Sequence, residues 1–572
     1  MFKETLDKLS INSKEAVIDG TFNNLDAFKD YLHIDRKVEK VLEKIVLNSI
    51  ESKTSKLILI SGNVGDGKSH MLAKLYQKLP EQMNQVEVRN DATESNFLSK
   101  SWIEELSDFL APFSDSEIEK NNNKQVKIVA INLGVLSRFI QEKGNEFNLL
   151  KSFVIDKGII EHLNYNNVYN DKTYFQFVNL ADFKLFELTE NTIHSSIIRG
   201  ILDKITAHSD NNPIYNSFIQ YYLNHPYQDN CILRNNFLQL SKSEIKDSLT
   251  SIIVYILIKD KLILSIRDLL NFVYDLLVPF AYQALSSDQI RTRKDYLDQN
   301  FIIENNLAYK LFESSKRSAL LTCISKVDPL TIREEFIDRI IFNLNSTQNP
   351  EIVFEEHGVE MPKGLHSVID ETYLRNRVIK TFVRSLFLQK SPVFNSSLHN
   401  FQTFCQYLFH YYTGNKIGLQ SLYIEVNEAI KRWNGSSKVN DEVNIPIGTH
   451  QIEYNVTQKI SFRPIIKVID NKQDILNELD YTIPITLEAN GKEYTFVLDL
   501  ELFTLLLKVR NGYSPNKKDK EDHIDFQNFV NLLINASLSN NDGLNFERIN
   551  GNQIDRYELS IDMFGNYTFK KA

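Results

Sequence analysis

Residues Gly62-Asn63-Val64-Gly65-Asp66-Gly67-Lys68-Ser69-His70 fit the pattern G-x-x-x-x-G-K-[ST], whose chemistry is capture of a polyphosphate. Glycines at Gly62, Gly65 and Gly67 let backbone N–H groups turn inward around phosphate oxygens, at φ angles that a side chain disfavours. Lys68 supplies a cation to the β and γ phosphates. Ser69 offers a hydroxyl to Mg²⁺, and a helix beginning there points its positive dipole end at the same anion. The whole stretch from Gly62 to His70 is therefore the candidate binding loop, with ATP and Mg²⁺ as the expected cofactors. His70 itself reads more simply as a packed or solvated residue of the helix start.

Binding is not hydrolysis, which also needs an acid to hold the Mg²⁺ shell and a group to orient water. The apolar segment Lys127-Ile128-Val129-Ala130-Ile131 runs into Asn132-Leu133-Gly134, where an acidic residue would be expected. Two substitutes present themselves. Asn90-Asp91-Ala92-Thr93-Glu94-Ser95 sets carboxylates at the end of a strand candidate, giving Asp91 and Glu94 as catalytic candidates and Asp91 as a metal ligand beside Ser69. Asp182, after the strand candidate Phe175–Leu180, stands behind them as a metal ligand. An Asx turn or a helix cap accounts for either group equally simply. Arg267, at the start of a helix after a polar break, is placed as a γ-phosphate sensor. Arg317 would suit a finger reaching a neighbouring subunit, although surface ion pairing is the commoner fate of such arginines. Homo-oligomerisation stays open for that reason.

The surrounding elements must position these residues. Val38, Val41, Leu42, Ile45 and Val46 recur at helical spacing within 36–51. The continuous apolar run Leu57–Ile60 suits a parallel strand covered on both faces, and Met71, Leu72, Leu75 and Tyr76 continue as a helix. Further strand candidates at 86–88, 126–133 and 174–180 alternate with helical segments such as 102–113, which predicts a parallel α/β sheet over residues 1–190. Residues 191–435 read as mostly helical, including 263–272 and 401–433, and are expected to form a helical lid and middle domain. Beyond Trp433-Asn434-Gly435-Ser436-Ser437 the chain turns β-rich, with strand candidates at 451–456, 494–498 and 563–569. Asn490-Gly491 is a hairpin signal, and helices are expected in 500–509 and 526–538. The expected fold class is α/β, a P-loop NTPase parallel sheet with a helical lid and middle domain, followed by a β-rich α+β domain over 436–572.

Composition narrows the function classes. In 572 residues, 65 Lys and Arg stand against 74 Asp and Glu, a formal charge of −9, so a nucleic-acid contact must be made through a local patch, a nucleotide-gated loop or a partner subunit. Cys231, Cys323 and Cys405 form no CxxC or Cys/His cluster, which argues for reduced thiols rather than a disulfide framework or a zinc knuckle. Met1–Ser10 lacks the apolar core of a signal peptide, and the most apolar stretch, Ser251–Leu264, is interrupted by Lys259, Asp260 and Lys261. A soluble cytoplasmic protein is expected, with no membrane contact. A nuclease centre at Asp480, Glu488 and Lys492 has unsuitable spacing. The clusters Arg291-Thr292-Arg293-Lys294 and Lys517-Lys518-Asp519-Lys520 could touch phosphates but more often form solvated faces.

Several segments, taken in order, carry a resemblance. They are Gly62–Met71, Asn90–Ser95, Ala130–Gly134, Phe177–Phe183, Ile324–Pro329, Tyr412–Gly414, Trp433–Gly435 and Tyr513–Asn516. This set resembles the DptF family, also called DndF, of DNA phosphorothioation-dependent restriction proteins. The loop alone is generic to P-loop NTPases, and the ordered set carries the likeness over most of the chain. The resemblance implies an ATP-binding subunit of a bacterial anti-phage restriction complex, acting with DptG and DptH on DNA that lacks the sulfur modification. Lys68 and Ser69 would then carry nucleotide binding. Asn132, in place of an acid, leaves a nucleotide-binding switch or scaffold without useful hydrolysis as the alternative. A P-loop kinase for a small substrate fits the large helical and β-rich extensions less well.

Overall fold

The computed structural model describes residues 1–11, 26–94, 100–120, 124–160, 169–190, 193–223, 231–331, 335–347, 349–359, 372–390, 396–435, 437, 441–446, 454–469, 481–537, 543–548, 556–561 and 566–571. They fall into two compact units, one of residues 1–186 with 195–394, the other of 187–194 with 395–572.

The first unit is built on four parallel strands: β1 (Lys56–Ser61), β2 (Val86–Arg89), β3 (Val126–Ile131) and β4 (Phe175–Asn179), in the order β2-β3-β1-β4. Every residue of β1 is buried, as its continuous apolar run requires. Alternate side chains serve two cores. Leu57 and Leu59 join Val129, Ile131, Phe175 and Phe177 on one face, covered by helices Trp102–Leu110, Leu133–Lys143 and Asn148–Asp156. Ile58 and Ile60 join Ile128, Ala130 and Val178 on the other, under Lys37–Glu51 and Lys68–Lys78. Each such aliphatic side chain contributes about 1.5–3 kcal/mol relative to exposure. Lys56, fully buried, is satisfied because its Nζ donates to the carbonyls of Asp171 and Thr173, both at 2.7 Å.

Two strands end earlier than their apolar runs suggest. β3 stops at Ile131 because Asn132 caps the next helix, its Oδ1 accepting from Val135 N at 2.8 Å. β4 stops at Asn179, where a single 3-10 turn over Leu180–Asp182 begins. The rest of this unit is helical. Its central helix, Ser243–Lys259, is buried nearly all round and packs against Ser196–Thr206, Ile232–Ser241, Ala319–Ser325 and Thr372–Lys390. It contains most of the apolar stretch singled out above, and among the described residues no helix is long and apolar enough to cross a membrane.

In the second unit a short hairpin joins β5 (Glu187–Leu188) and β6 (Ile193–His194). Helices Ser396–Tyr412 and Gln420–Arg432 are separated near Gly414, whose φ of +78° no continuing helix could hold. The antiparallel strands are β7 (Glu442–Asn444), β8 (Tyr454–Lys459), β9 (Arg463–Ile465), β10 (Ile483–Ala489), β11 (Lys492–Leu498), β12 (Leu544–Arg548), β13 (Arg556–Ile561) and β14 (Tyr567–Lys571). They form sheets ordered β11-β10-β9 and β14-β13-β12-β8-β7. Asn490 and Gly491 turn the β10–β11 hairpin with φ of +50° and +74°, as that dipeptide predicts. Helices Leu500–Arg510 and Ile524–Ser537 match the expected pair. Residues 451–453, 538 and 563–565 of the expected elements lie outside the described residues, as do Ser95, Ser436 and Asp480.

Candidate nucleotide-binding site

β1 lies between β3 and β4, and the chain leaves it in one direction toward β2 and returns past it to β4. The carboxyl end of β1 is therefore a topological switch point, where open α/β sheets form crevices. The loop Gly62–Gly67 occupies that end and feeds directly into Lys68–Lys78. Gly67 caps this helix in the left-handed region at φ +91°, and Gly65 sits at φ +94°. Both positions explain why glycine is needed there. A Cβ on Gly65 would come within 2.8 Å of Ser265 Oγ and 3.3 Å of Arg267 Cβ, so the loop lies close against the start of helix Ile266–Leu277.

A cavity of about 750 Å³ opens in front of the loop. Asn63, Val64, Gly65, Gly67, Lys68, Ser69 and His70 line it, together with Asn90, Asp91, Thr93, Glu94, Asn132, Arg36 and Arg267. Phe28, Leu32, Ile34, Ile201, Ile266 and Leu270 add apolar side chains to the lining. A lining of charged and apolar side chains suits a ligand that combines charged groups with a flat or aliphatic body.

The loop is internally wired. Lys68 Nζ donates to the carbonyls of Gly62 at 2.6 Å and Asn63 at 2.9 Å. Burial lowers the Lys68 pKa, opposed by the charges of Asp66 and Asp91. Asp66 turns its carboxylate into the loop, where Oδ2 accepts from Asn63 N at 2.6 Å. Burial raises the Asp66 pKa despite that bond and the nearby Lys68 and Arg36. Next to the loop, His70 Nε2 lies 2.9 Å from His33 Nδ1, and burial first, then the neighbouring His33, Arg36 and Lys74, pull the His70 pKa down to about 4.

The acidic candidates are placed differently from one another. Asp91 and Glu94 reach the cavity, but Asp91 Oδ1 is engaged in an Asx turn, accepting from Thr93 N at 2.8 Å and Thr93 Oγ1 at 2.7 Å. Asn90, one residue earlier, has a buried Oδ1 with no hydrogen-bond partner beside the same cavity. Asp182 is turned to its own strand end, accepting from Asn179 Nδ2 at 2.7 Å, and is not among the described lining residues. Arg267 is brought to the loop as its placement suggested. Arg317 is not, since its guanidinium faces Asp275 at 3.7 Å and stacks over Phe280.

Other candidates fall elsewhere. Glu488 pairs with Arg463 at 2.7 Å on the β9–β10 ladder, and Lys492 flanks the hairpin turn. Arg293 is engaged with Asp295, and Lys517 with Glu521. The three cysteines are free thiols.

The spacing of the sequence did not reveal Arg36. Its Nη1 donates to the Asp66 carbonyl at 2.9 Å, and a Cβ on Gly67 would meet its Nη2 at 3.1 Å. Its place ahead of the Lys37–Glu51 helix gave the only local hint, because a cation at a helix start is unfavourable unless something else needs it. Comparison with family models, with curated proteins and with solved structures finds no match to this chain.

Proposed function

We propose that the parallel-sheet unit binds ATP with Mg²⁺ as a P-loop NTPase. The observation that carries this reading is the Gly62–Ser69 loop at the carboxyl end of the central strand, opening on a cavity with cationic, carboxylate and apolar walls. Lys68 and the helix start at Lys68–Ser69 would take the phosphates. The apolar side chains of the lining would take the base. The donor set fits a hard cation, since the Ser69 hydroxyl and the Asp91 carboxylate share the cavity and Asn90 leaves a buried carbonyl oxygen unpartnered beside them. Ser69 and Asp91 would hold Mg²⁺, whose contribution is to neutralise charge on the β and γ phosphates. Arg267, at the loop, is suited to sense the γ-phosphate from a helical lid.

On the resemblance of its ordered segments, we assign the chain as the ATP-binding subunit, and the ATPase, of a cytoplasmic DNA phosphorothioation-dependent restriction complex. It would act on unmodified DNA with DptG-like and DptH-like subunits. The test is phosphate release from ATP by the purified protein, alone and with unmodified duplex DNA, beside Lys68→Ala. Turnover that survives Lys68→Ala overturns the reading.

A second reading has a specific observation in its favour. Asn132 stands where an acid would be expected and engages its side chain as a helix cap. A switch that binds ATP without useful hydrolysis would show nucleotide binding lost in Lys68→Ala and no basal rate to lose.

A further inference from the structure

Beside the loop, the segment joining helix Ala27–Leu32 to helix Lys37–Glu51, whose His33 also lines the cavity, gathers three metal-ligating side chains. His33 Nε2 lies 3.2 Å from Asp35 Oδ1 and 3.2 Å from Glu39 Oε2, and the three donor atoms all fall within 4.8 Å of one another. Glu39 is the telling member. Its side chain is only 7 % exposed, and neither carboxylate oxygen has a hydrogen-bond partner. A buried carboxylate left in that state is costly unless a cation compensates it. The cations nearby are loosely placed: Arg36 Nε stands 3.7 Å from Oε1, and the half-exposed Lys78 puts Nζ 3.9 Å from Oε2 and 3.5 Å from Asp35 Oδ1.

We propose that His33, Asp35 and Glu39 bind a divalent transition metal of the Zn²⁺ class, at a site separate from any Mg²⁺ accompanying a nucleotide. Ligands about 2.0–2.2 Å from a tetrahedral zinc lie about 3.3–3.6 Å from each other, a little beyond the two 3.2 Å separations. An imidazole nitrogen with two carboxylates selects zinc-like ions over Mg²⁺, which prefers oxygen and keeps its waters. Three protein ligands leave a fourth position for water. Neighbouring side chains orient the ligands. With Nε2 on the metal, His33 carries its proton on Nδ1 and donates to His70 Nε2 at 2.9 Å, while Arg36 stays on the other oxygen of Glu39. Lys78, whose Nζ stands near both carboxylates, is displaced on binding, so two carboxylates balance one dication.

The test uses the full chain, stripped with a chelator and free of nucleotide, titrated with Zn²⁺ alone and with Mg²⁺ alone by calorimetry, and with Co²⁺ followed by its visible absorption. One equivalent of Zn²⁺ is expected, with a tetrahedral Co²⁺ spectrum. Asp35→Asn should raise Kd at least about tenfold. Because Asp35 is 70 % exposed, this variant keeps its fold. Glu39→Gln and His33→Ala should do the same or more, and Lys78→Met should tighten binding. Absence of Zn²⁺ binding, an unchanged Kd in Asp35→Asn, equal affinity for Mg²⁺, or weaker binding in Lys78→Met would each overturn the proposal.

Discussion

The guanidinium of Arg36 donates to the carbonyl oxygen of Asp66 at 2.9 Å across thirty positions of chain, and so fixes the far side of the Gly62–Ser69 loop to the segment that enters the Lys37–Glu51 helix. A hydrogen bond from a charged donor is worth about 1.5–3 kcal/mol. Arg36→Met is expected to lower the urea unfolding free energy by about 2–3 kcal/mol and to weaken nucleotide binding about tenfold. Unchanged stability in equilibrium denaturation would remove this role.

Gly65 offers a separate handle on the same loop. Its φ of +94° costs an alanine about 1–2 kcal/mol, and the added Cβ would press on Ser265 Oγ from 2.8 Å. Gly65→Ala should therefore be destabilised by at least that amount, while Gly491→Ala, with open space around its Cβ, shows only the backbone cost. Thermal melts of the two variants side by side check the difference.

Lys68→Ala should reduce affinity for a fluorescent ATP analogue between tenfold and about a hundredfold, the range of one charged hydrogen bond. Equal affinity in the variant would mean that the loop does not grip phosphate.

Asn132→Asp retains the helix cap, since Asp and Asn cap about equally well, and adds a carboxylate at the end of β3. If the missing acid limits hydrolysis, phosphate release rises by about tenfold or more, a lowering of the barrier by about 1.4 kcal/mol per decade. A flat rate would direct attention to Asp91 and Glu94.

The burial of His70 makes stability depend on acid. Its imidazole titrates near 4 when folded and near 6.5 when unfolded, so between those values the unfolded chain binds more protons. Stability is expected to be full above pH 6.5 and to fall as pH drops toward 4, by at most about 1.4 kcal/mol per pH unit. Chemical denaturation in chelator-containing buffers should show this slope, and His70→Gln should flatten it.

Much of the frame is legible in the residues. The unbroken apolar run of β1 predicts a strand covered on both faces, and the two cores divided between Leu57, Leu59 and Ile58, Ile60 are the consequence. Asn490-Gly491 fixes its hairpin because few other dipeptides accept two positive φ angles. The loop and its helix follow from glycine spacing and the periodicity of Met71, Leu72 and Leu75. The contributions of Arg36 and His33 were hidden, because each arrives from a segment some thirty residues upstream and only tertiary packing brings it to the loop. Asp182, just past a strand end, accepts from Asn179 three residues back and is not among the described lining residues, a placement that its position in one dimension does not convey. Asn132 ends β3 for an equally local reason, since its cap competes with the ladder.

The seat of the Lys68 ammonium on the carbonyls of Gly62 and Asn63 has an enthalpic and ionic consequence. An incoming anion finds this cation already solvated by the backbone, so capture is an exchange of oxygen partners rather than the quenching of a bare charge. The enthalpy gained is a difference between two sets of bonds. Added salt still weakens the exchange, because it screens the attraction between the incoming anion and a cation that is only partly buried.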